Sequence, residues 1–449
     1  MSIDIQAFHD ASFDVVKPTE LELQQGHVAP GAKAVLPTGI TYVANWRESA
    51  DGMNQHARAQ VKALAMTGLP IRLASFATKS ILGEDLCEEA QKLEYLSSIS
   101  FSSTAIAIKQ AIPSTPESFK RLLNPVGIVS QFMDEDQQER LWKSTILYTS
   151  WERNSVHPEF VEIFSKLGQV WVPCEANKKV FVLSGLEEKK IKVIPYPYDP
   201  ATCEQAAPRK GLLPLYFEDI EEPKRFYSIG KWEPRKNQHM LIGAFLLAYT
   251  PKSKASLLIK TSEFRGAWGK YPTWEQSIAY WLSRSEVKTR GWTKEHFDRL
   301  VKVIPKKISD EDIQMLHMKN NIYVSAGLGE AWDIPAFDAK LAGNKMVYVG
   351  FGGPEDYATP EDVKVPWDSF EKVHPGYLWE PEAEWASVRM ESFVDTLKKV
   401  KPFGYRMVPI SYARKFGMCA VANKMESAIR ELSEELGCWD QLNTCGGFG

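Results

Sequence analysis

Short apolar runs alternate with helix-like stretches along most of this chain, and few folds can accommodate that order. GITYVANW (39–46) is a brief, almost wholly apolar run of the kind buried on both faces of a sheet. A polar turn and the helical stretch NQHARAQVKALAMTG, closed by Gly68, lead to a second apolar run, PIRLASFA. Strand, helix, strand is the repeating unit of a parallel α/β sheet. Further strands are expected at VGIVSQF (126–132), TILYTSW (145–151), QVWVPC (169–174) and KVIPY (192–196), with a helix at HPEFVEIFSKLG. After an irregular, Pro- and acid-rich stretch at 200–223 the alternation resumes. Strands are expected there at FYSIG (226–230), SLLIK (256–260), VKVIP (301–305), NIYVSA (321–326) and KMVYV (345–349).

The chain has 449 residues, enough for two cores. The expected organisation is an N-terminal arm (1–36), a first Rossmann-like domain (37–205), a second (206–410), and a helical tail (411–449). In that tail Met425, Ile429, Leu432 and Leu436 recur at helical spacing and should bury one face. Residues 263–296 are longer than a simple connection and read either as a functional insertion or as an extra helix pair.

A net charge of −3 offers no global attraction to polyanions, so contact with nucleic acid or a membrane surface would need a local basic patch. The six cysteines form no CxxC pair and have no His at metal-ligand spacing, which argues against a zinc site or a disulfide framework. The opening MSIDIQAFHDAS lacks an apolar h-region, and no stretch approaches the roughly 18 apolar residues of a membrane span. A cytoplasmic protein is expected, with peripheral membrane contact left open.

Open α/β sheets bind ligands beyond the carboxyl ends of their strands. Lys231 directly follows FYSIG, and Lys236 stands where the next helix should begin. Both ammonium groups could face a phosphate held near the free N–H groups of that helix, or could simply be solvated on a surface turn. In IYVSAGLGEAWDIPAFDAKLAG (322–343) a strand leads into a Gly-containing loop with Glu330, then a helix carrying Asp338. These carboxylates could accept hydrogen bonds from sugar and ribose hydroxyls, or form a solvated helix face.

Taken together, Gly230-Lys231, Lys236 and Ala244-Phe245, followed by GLGEAWDIPAFDAKLAGN, resemble the donor-binding domain of retaining GT-B glycosyltransferases of the family-4 type. VWVPCEANKKVFVLSGLEEKKIKVIPYPYD is similar to the segment leading out of the first domain in that family, and ILYTSWE to a stretch found in one of its branches. The resemblance implies two Rossmann-like domains facing each other across a cleft, with the final helix crossing back to the first domain. It also implies transfer of a sugar from a nucleoside diphosphate sugar, carrying uridine or guanosine, with retention of configuration and without a metal.

By that resemblance Gly230, Lys231 and Lys236 hold the diphosphate and stabilise it as leaving group. Glu330, with Ala331 and Trp332 beside it, lies at the transferred sugar, and Asp338 holds the ribose. Ile304 and Lys306 correspond to the edge that reads the base, and Gly52 to a loop glycine close to donor and acceptor. Three departures from the family pattern stand out: Asp338 replaces Glu; Asp333 stands where many members have Gly, and could cap the helix; Trp151 and Glu152 occupy the place of a His. Glu152 is therefore a candidate acceptor-side polar group or base, or the partner of an ion pair with Arg153 or a neighbour, and His157 a weaker candidate. Trp46, Trp151, Trp232 and Trp332 fall near strand ends, where one or two could line the cleft. A GT-B-shaped epimerase or phosphorylase and a non-catalytic sugar-nucleotide binder are the alternatives. A glycan, a lipid-linked sugar, a small molecule or a hydroxymethylated base in viral DNA are all compatible acceptors, and nothing points to an obligate protein partner.

Overall fold

The computed structural model describes residues 35–47, 52–76, 88–112, 115–123, 133–198, 223–262, 272–373, 382–401, 408 and 410–443. The strand expected at 126–132, the arm up to residue 34 and most of the irregular 200–223 stretch lie outside the described residues.

Among the described residues, two six-stranded parallel sheets form the body of the protein, beside a two-stranded antiparallel pair, Ser369–Lys372 with Glu384–Ser387. The first contains β1 (Val35–Val43), β2 (Ile71–Ala74), β3 (Ser100–Gln110), β4 (Thr145–Tyr148), β5 (Gln169–Val172) and β6 (Ile191–Val193), in the order β2-β1-β3-β4-β5-β6. Strands such as β4 and β5 are buried on both faces because both faces are covered. Ile146, Tyr148 and Trp171 pack in one layer with the helix Gly52–Ala65 (α1). The alternate residues Leu147, Val170 and Val172 pack in another with the helices Pro158–Ser165 (α2) and Glu175–Leu183 (α3).

The second sheet contains β7 (Lys224–Ile229), β8 (Ala255–Lys260), β9 (Val301–Ile304), β10 (Ile322–Ser325), β11 (Lys345–Val349) and β12 (Val363–Val365), in the order β12-β11-β10-β7-β8-β9. The same alternation holds here: Phe226, Leu257 and Val324 face one core, and Tyr227, Leu258 and Tyr323 the other. The direction of winding reverses between β7 and β10, which pair through Ile322–Phe226 and Tyr323–Tyr227. At such a reversal the loops leaving the two strands turn to opposite faces and open a crevice between them. The 263–296 segment contributes, within its described part, the helices Trp274–Ser283, Ser285–Lys288 and Lys294–Leu300. Ile278, Trp281, Val287 and Phe297 of these helices join the second core, so this part is packing structure.

The tail returns to the first sheet. Helix Met418–Glu435 lays Val421, Met425, Ile429 and Leu432 into the core built by Ile40, Tyr42, Val61 and Ile146. Gln169 Nε2 donates to the Ala428 carbonyl at 2.8 Å, and Lys192 Nζ lies 2.5 Å from Glu431 Oε1. No described helix is long and apolar enough to cross a membrane.

Candidate functional site

The carboxyl end of β7 enters a compact turn. Gly230 and the exposed Lys231 come first, then Trp232, held by an indole N–H bond to the Pro272 carbonyl at 2.8 Å. Pro234 opens a single 3-10 turn, Pro234–Lys236, as its fixed φ favours. Asn237 follows in the left-handed region (φ 51°), which Asn tolerates better than most residues, and the helix Gln238–Ala248 (α4) begins only there. Lys236 thus ends the tight turn instead of opening the α-helix. Its methylenes lie 3.3 Å from where a Cβ on Gly230 would stand.

Two side chains of this turn point into the crevice. Lys236 Nζ lies 2.7 Å from Glu330 Oε1 and 3.5 Å from Asp333 Oδ1. The Arg235 guanidinium is buried and reaches three carboxylates, Glu330 Oε2 at 2.9 Å, Glu233 Oε1 at 2.9 Å and Glu152 Oε2 at 3.0 Å. It also donates to the Gly329 carbonyl at 2.8 Å, while the Leu328 N–H donates to the Arg235 carbonyl at 2.8 Å. A planar guanidinium with five donors suits such a hub, and the fork fixes the 328–330 loop directly against the β7 turn.

Glu330 is 4% exposed. Its backbone is held by the Gly353 N–H at 2.7 Å, beside Gly352, where a Cβ would meet the Glu330 carbonyl oxygen at 2.0 Å. Gly352 also has φ 112°, so no other residue fits there without strain. Burial pushes the Glu330 carboxyl pKa up, but Arg235 and Lys236 more than offset it and hold the group below its ordinary range. Glu152, on the segment leaving β4, behaves oppositely. Burial raises its pKa, Arg235 only partly counters this, and the neighbouring Glu330 and Glu233 add to the rise. For Lys236, burial lowers the ammonium pKa while Asp333 and Glu330 raise it, and the net direction is upward. Among the described residues, Arg235 and Lys236 therefore face the carboxylates of Glu152, Glu233, Glu330 and Asp333 in one largely water-excluded network.

The first domain meets this network through backbone as well as charge. A Cβ on Gly329 would lie 2.1 Å from the Glu152 carbonyl oxygen, so main chain from the two halves touches there. Asn154 adds bonds to Glu384, backbone to backbone at 3.0 Å and Nδ2 to Oε2 at 2.9 Å. Gly52, at the start of α1, faces Ile334 across the same seam, with Ile334 Cδ1 3.7 Å from its Cβ position.

Of the residues expected from the sequence, Lys236, Glu330 and Glu152 come together. Lys231 stands exposed at the start of the turn, and Gly230 lies under the Lys236 stem. Ile304 is buried at the end of β9, with Lys306 exposed two residues on. Asp338 sits half-buried on the helix Ile334–Leu341 (α5), and its carboxyl is raised to about 7 by burial and then by Asp333 and Asp310.

Asp333 corrects the capping expectation. It occupies the N-cap position of α5 in the left-handed region (φ 62°), and its side chain caps nothing. Instead one carboxylate oxygen accepts from Ser325 Oγ and the other faces Lys236. His157 caps α2, accepting from the Glu159 N–H at 3.4 Å, a structural role. The four tryptophans are all buried. Trp46 sits in the first core; Trp151 has Arg153 over its ring at 3.8 Å; Trp232 is in the second core; Trp332 packs with Phe337, Tyr357 and Phe416, and Ala331 beside it is buried too.

Arg235 and Glu233 were not expected from the sequence. The signal available was the alternation of charge in Glu233-Pro-Arg-Lys236 immediately after a buried strand and a buried tryptophan. There, three charged residues within four positions at a strand end would otherwise be an unusually charged turn.

No protein-family model matches the sequence and no curated protein is significantly similar to it. Solved structures do match across nearly the whole chain. The α,α-trehalose 6-phosphate synthase of Burkholderia multivorans superposes with a TM-score of 0.58 at 9% identity, covering 89% of this chain and 100% of that one. The lipopolysaccharide outer core galactosyltransferase WaaB gives 0.52 at 12% identity, with 87% and 99% covered. A glycosyltransferase of Rickettsia africae gives 0.51 at 12% identity, with 88% and 98% covered. With two parallel six-stranded sheets and a terminal helix returned to the first, this chain has the GT-B fold of those glycosyltransferases.

Proposed function

We propose that this protein is a glycosyltransferase that moves a sugar from a nucleoside diphosphate sugar to an acceptor hydroxyl, with retention of configuration. The observation that carries this reading is the placement of Lys236 beside Glu330, with Arg235 behind them, at the winding reversal between β7 and β10. A diphosphate leaving group gathers negative charge as the glycosidic bond breaks. A cation already held in a dry site meets that charge without having to reorganise. Lys236 is the group placed to do so, Lys231 at the open side of the turn supplies a second positive charge, and Gly230 leaves room for close approach. Glu330 holds Lys236 in position and borders the sugar. Asp338 binds the ribose, the main chain near Ile304 and Lys306 reads the base, and Gly52 lines the acceptor side. Glu152, whose carboxyl is raised, sits where the first domain meets the reacting centre and is the candidate base for the acceptor hydroxyl.

The donor is a uridine or guanosine diphosphate sugar, and the acceptor a hydroxyl of a glycan, lipid-linked sugar, small metabolite or modified base. A thermal-denaturation screen of nucleoside diphosphates and their sugars tests the reading, because a ligand at a hundred times its Kd adds about 2.7 kcal/mol of stability. Lys236→Ala should abolish that shift and lower donor hydrolysis or transfer by about 100- to 1,000-fold. Undiminished nucleotide affinity and turnover in that variant would refute the assignment.

A further inference from the structure

Lys236 is the ammonium group to which the proposed function assigns the donor diphosphate, yet it already has an acidic partner besides Glu330. Asp333 reaches it from the entrance of α5, with Oδ1 3.5 Å from Nζ, while Oδ2 accepts from Ser325 Oγ at the end of β10. The Asp333 backbone is one of only two described non-glycine positions with positive φ, at 62°. Glycine would adopt that conformation freely, whereas Asp does so at a cost. Its peptide is over-determined in compensation: the Ala336 and Phe337 N–H groups both donate to the Asp333 carbonyl at 3.0 Å, and the Tyr357 hydroxyl, which donates to the Trp332 carbonyl at 2.7 Å, lies 3.2 Å from it. The strained residue is thus fixed with its charge on the lysine.

We propose that Asp333 is a tethered counter-anion on Lys236, a built-in competitor that gives way by taking up a proton when a ligand diphosphate binds that ammonium group. This rests on the reading of the crevice as a nucleoside diphosphate sugar site. Around Asp333 stand Lys236 and Arg235 from the β7 turn, Glu330 from the loop after β10, Ser325 and Tyr323 from β10 itself, Tyr357 from the short helix 354–357, and Asp338 one turn along α5. Among the described residues, the ion pairs of this network set Arg235 and Lys236 against four carboxylates. Bringing phosphates to Lys236 without removing a negative charge would therefore place like charges together in a low-dielectric site. Protonating Asp333 from solvent removes one charge. The resulting acid can donate to the ligand oxygen, while Ser325 Oγ loses its anionic acceptor. Burial disfavours the ionised form of Asp333, opposed by Lys236, so its carboxyl is raised and proton uptake is eased.

The test is isothermal titration of the full chain with UDP-glucose and with GDP-mannose, whose phosphodiester groups do not titrate between pH 6 and 8. Measurements are made in buffers of differing ionisation enthalpy so that bound protons are counted. The wild-type protein should take up a proton on binding and lose affinity with rising pH by up to about tenfold per unit, the limit for one proton. Asp333→Asn and Asp333→Gly should bind more tightly at pH 8, by about tenfold, and should lose that part of the pH slope and of the proton count. The loss on substitution isolates Asp333 from whatever Asp338 and Glu152 add. The glycine variant also relieves the backbone, so that folding, checked by thermal denaturation, is retained in at least one of the two. Folded variants with wild-type affinity, slope and proton count would overturn the proposal while leaving the proposed function standing. Variants that bind where the wild type does not would support it, and no binding by any of the three would overturn both.

Discussion

Replacing Arg235 by Met removes the hub of the crevice while keeping most of its volume. The guanidinium faces Glu330 and Glu233, both at least nine-tenths buried, and Glu152 from the other domain. Without it these carboxylates lose the cation that three of them share. Breaking one buried ion pair from one side costs about 3–5 kcal/mol, so a loss of about 4 kcal/mol is expected at pH 8. That is a large share of the roughly 5–15 kcal/mol that stabilises a typical protein. The sign of the pH dependence follows from Glu330. In the wild type its pKa is lowered, so its contribution is present above the unfolded-state value and fades as the pH falls. In the variant the carboxylate stays buried with half its compensation gone and its pKa rises. The protonated form then folds best, and stability is lost as the pH climbs. Both effects widen the gap with pH. Urea denaturation of the two proteins at pH 5.5 and pH 8 should show the larger loss at pH 8, and adding Glu330→Gln to Arg235→Met should recover about 1 kcal/mol or more. A loss below about 1 kcal/mol, the level of an exposed pair, that does not change with pH would refute the reasoning.

Gly329→Ala brings a Cβ within 2.1 Å of the Glu152 carbonyl oxygen, where backbone stands on both sides and no side chain can swing away. The contact between domains should open at a cost of about 1–3 kcal/mol, seen as a larger radius of gyration in small-angle scattering together with a lower Tm. Ile429→Ala empties a fully buried site between the tail helix and the first sheet, and should cost about 2–5 kcal/mol in urea denaturation. The Asp338 carboxyl is raised to about 7, so its ionisation costs the folded state stability that is lost progressively as the pH rises from the ordinary carboxylate range to about 7. Asp338→Asn should gain stability relative to wild type between pH 6 and 8 in thermal denaturation, and equal pH profiles would contradict the burial assigned to it.

The fold was legible because buried parallel strands leave a recognisable pattern: both faces are covered, so runs such as TILY and IYVS are mostly apolar and buried at every position. β3 was missed for the opposite reason. SFSSTAIAIKQ spends its first half on small polar residues, and the exposed positions Ser102 to Thr104 give it no continuous apolar signature. In the site, Lys236 and Glu330 were legible from their positions after strands, since topology alone takes those positions to the crevice. Arg235 was not, because a buried arginine looks like a surface one until the carboxylates around it are known. Two of the three lie outside its own turn, at positions 152 and 330. Asp333 was misjudged because N-cap position suggests capping, whereas the left-handed backbone aims its side chain elsewhere.

The return of helix Met418–Glu435 to the first sheet has a consequence for biosynthesis. A nascent chain emerges from its N-terminus at about 5–20 residues per second, so the early sheet leaves the ribosome long before the segment that covers it. The later sheet is made of contiguous sequence from β7 to β12 and can assemble at once, while on the earlier one Ile40, Tyr42 and Ile146 lack part of their cover until residues 418–435 have been made. Order of synthesis and order of maturation are therefore inverted, and the interval in between is when this polypeptide has most need of a chaperone.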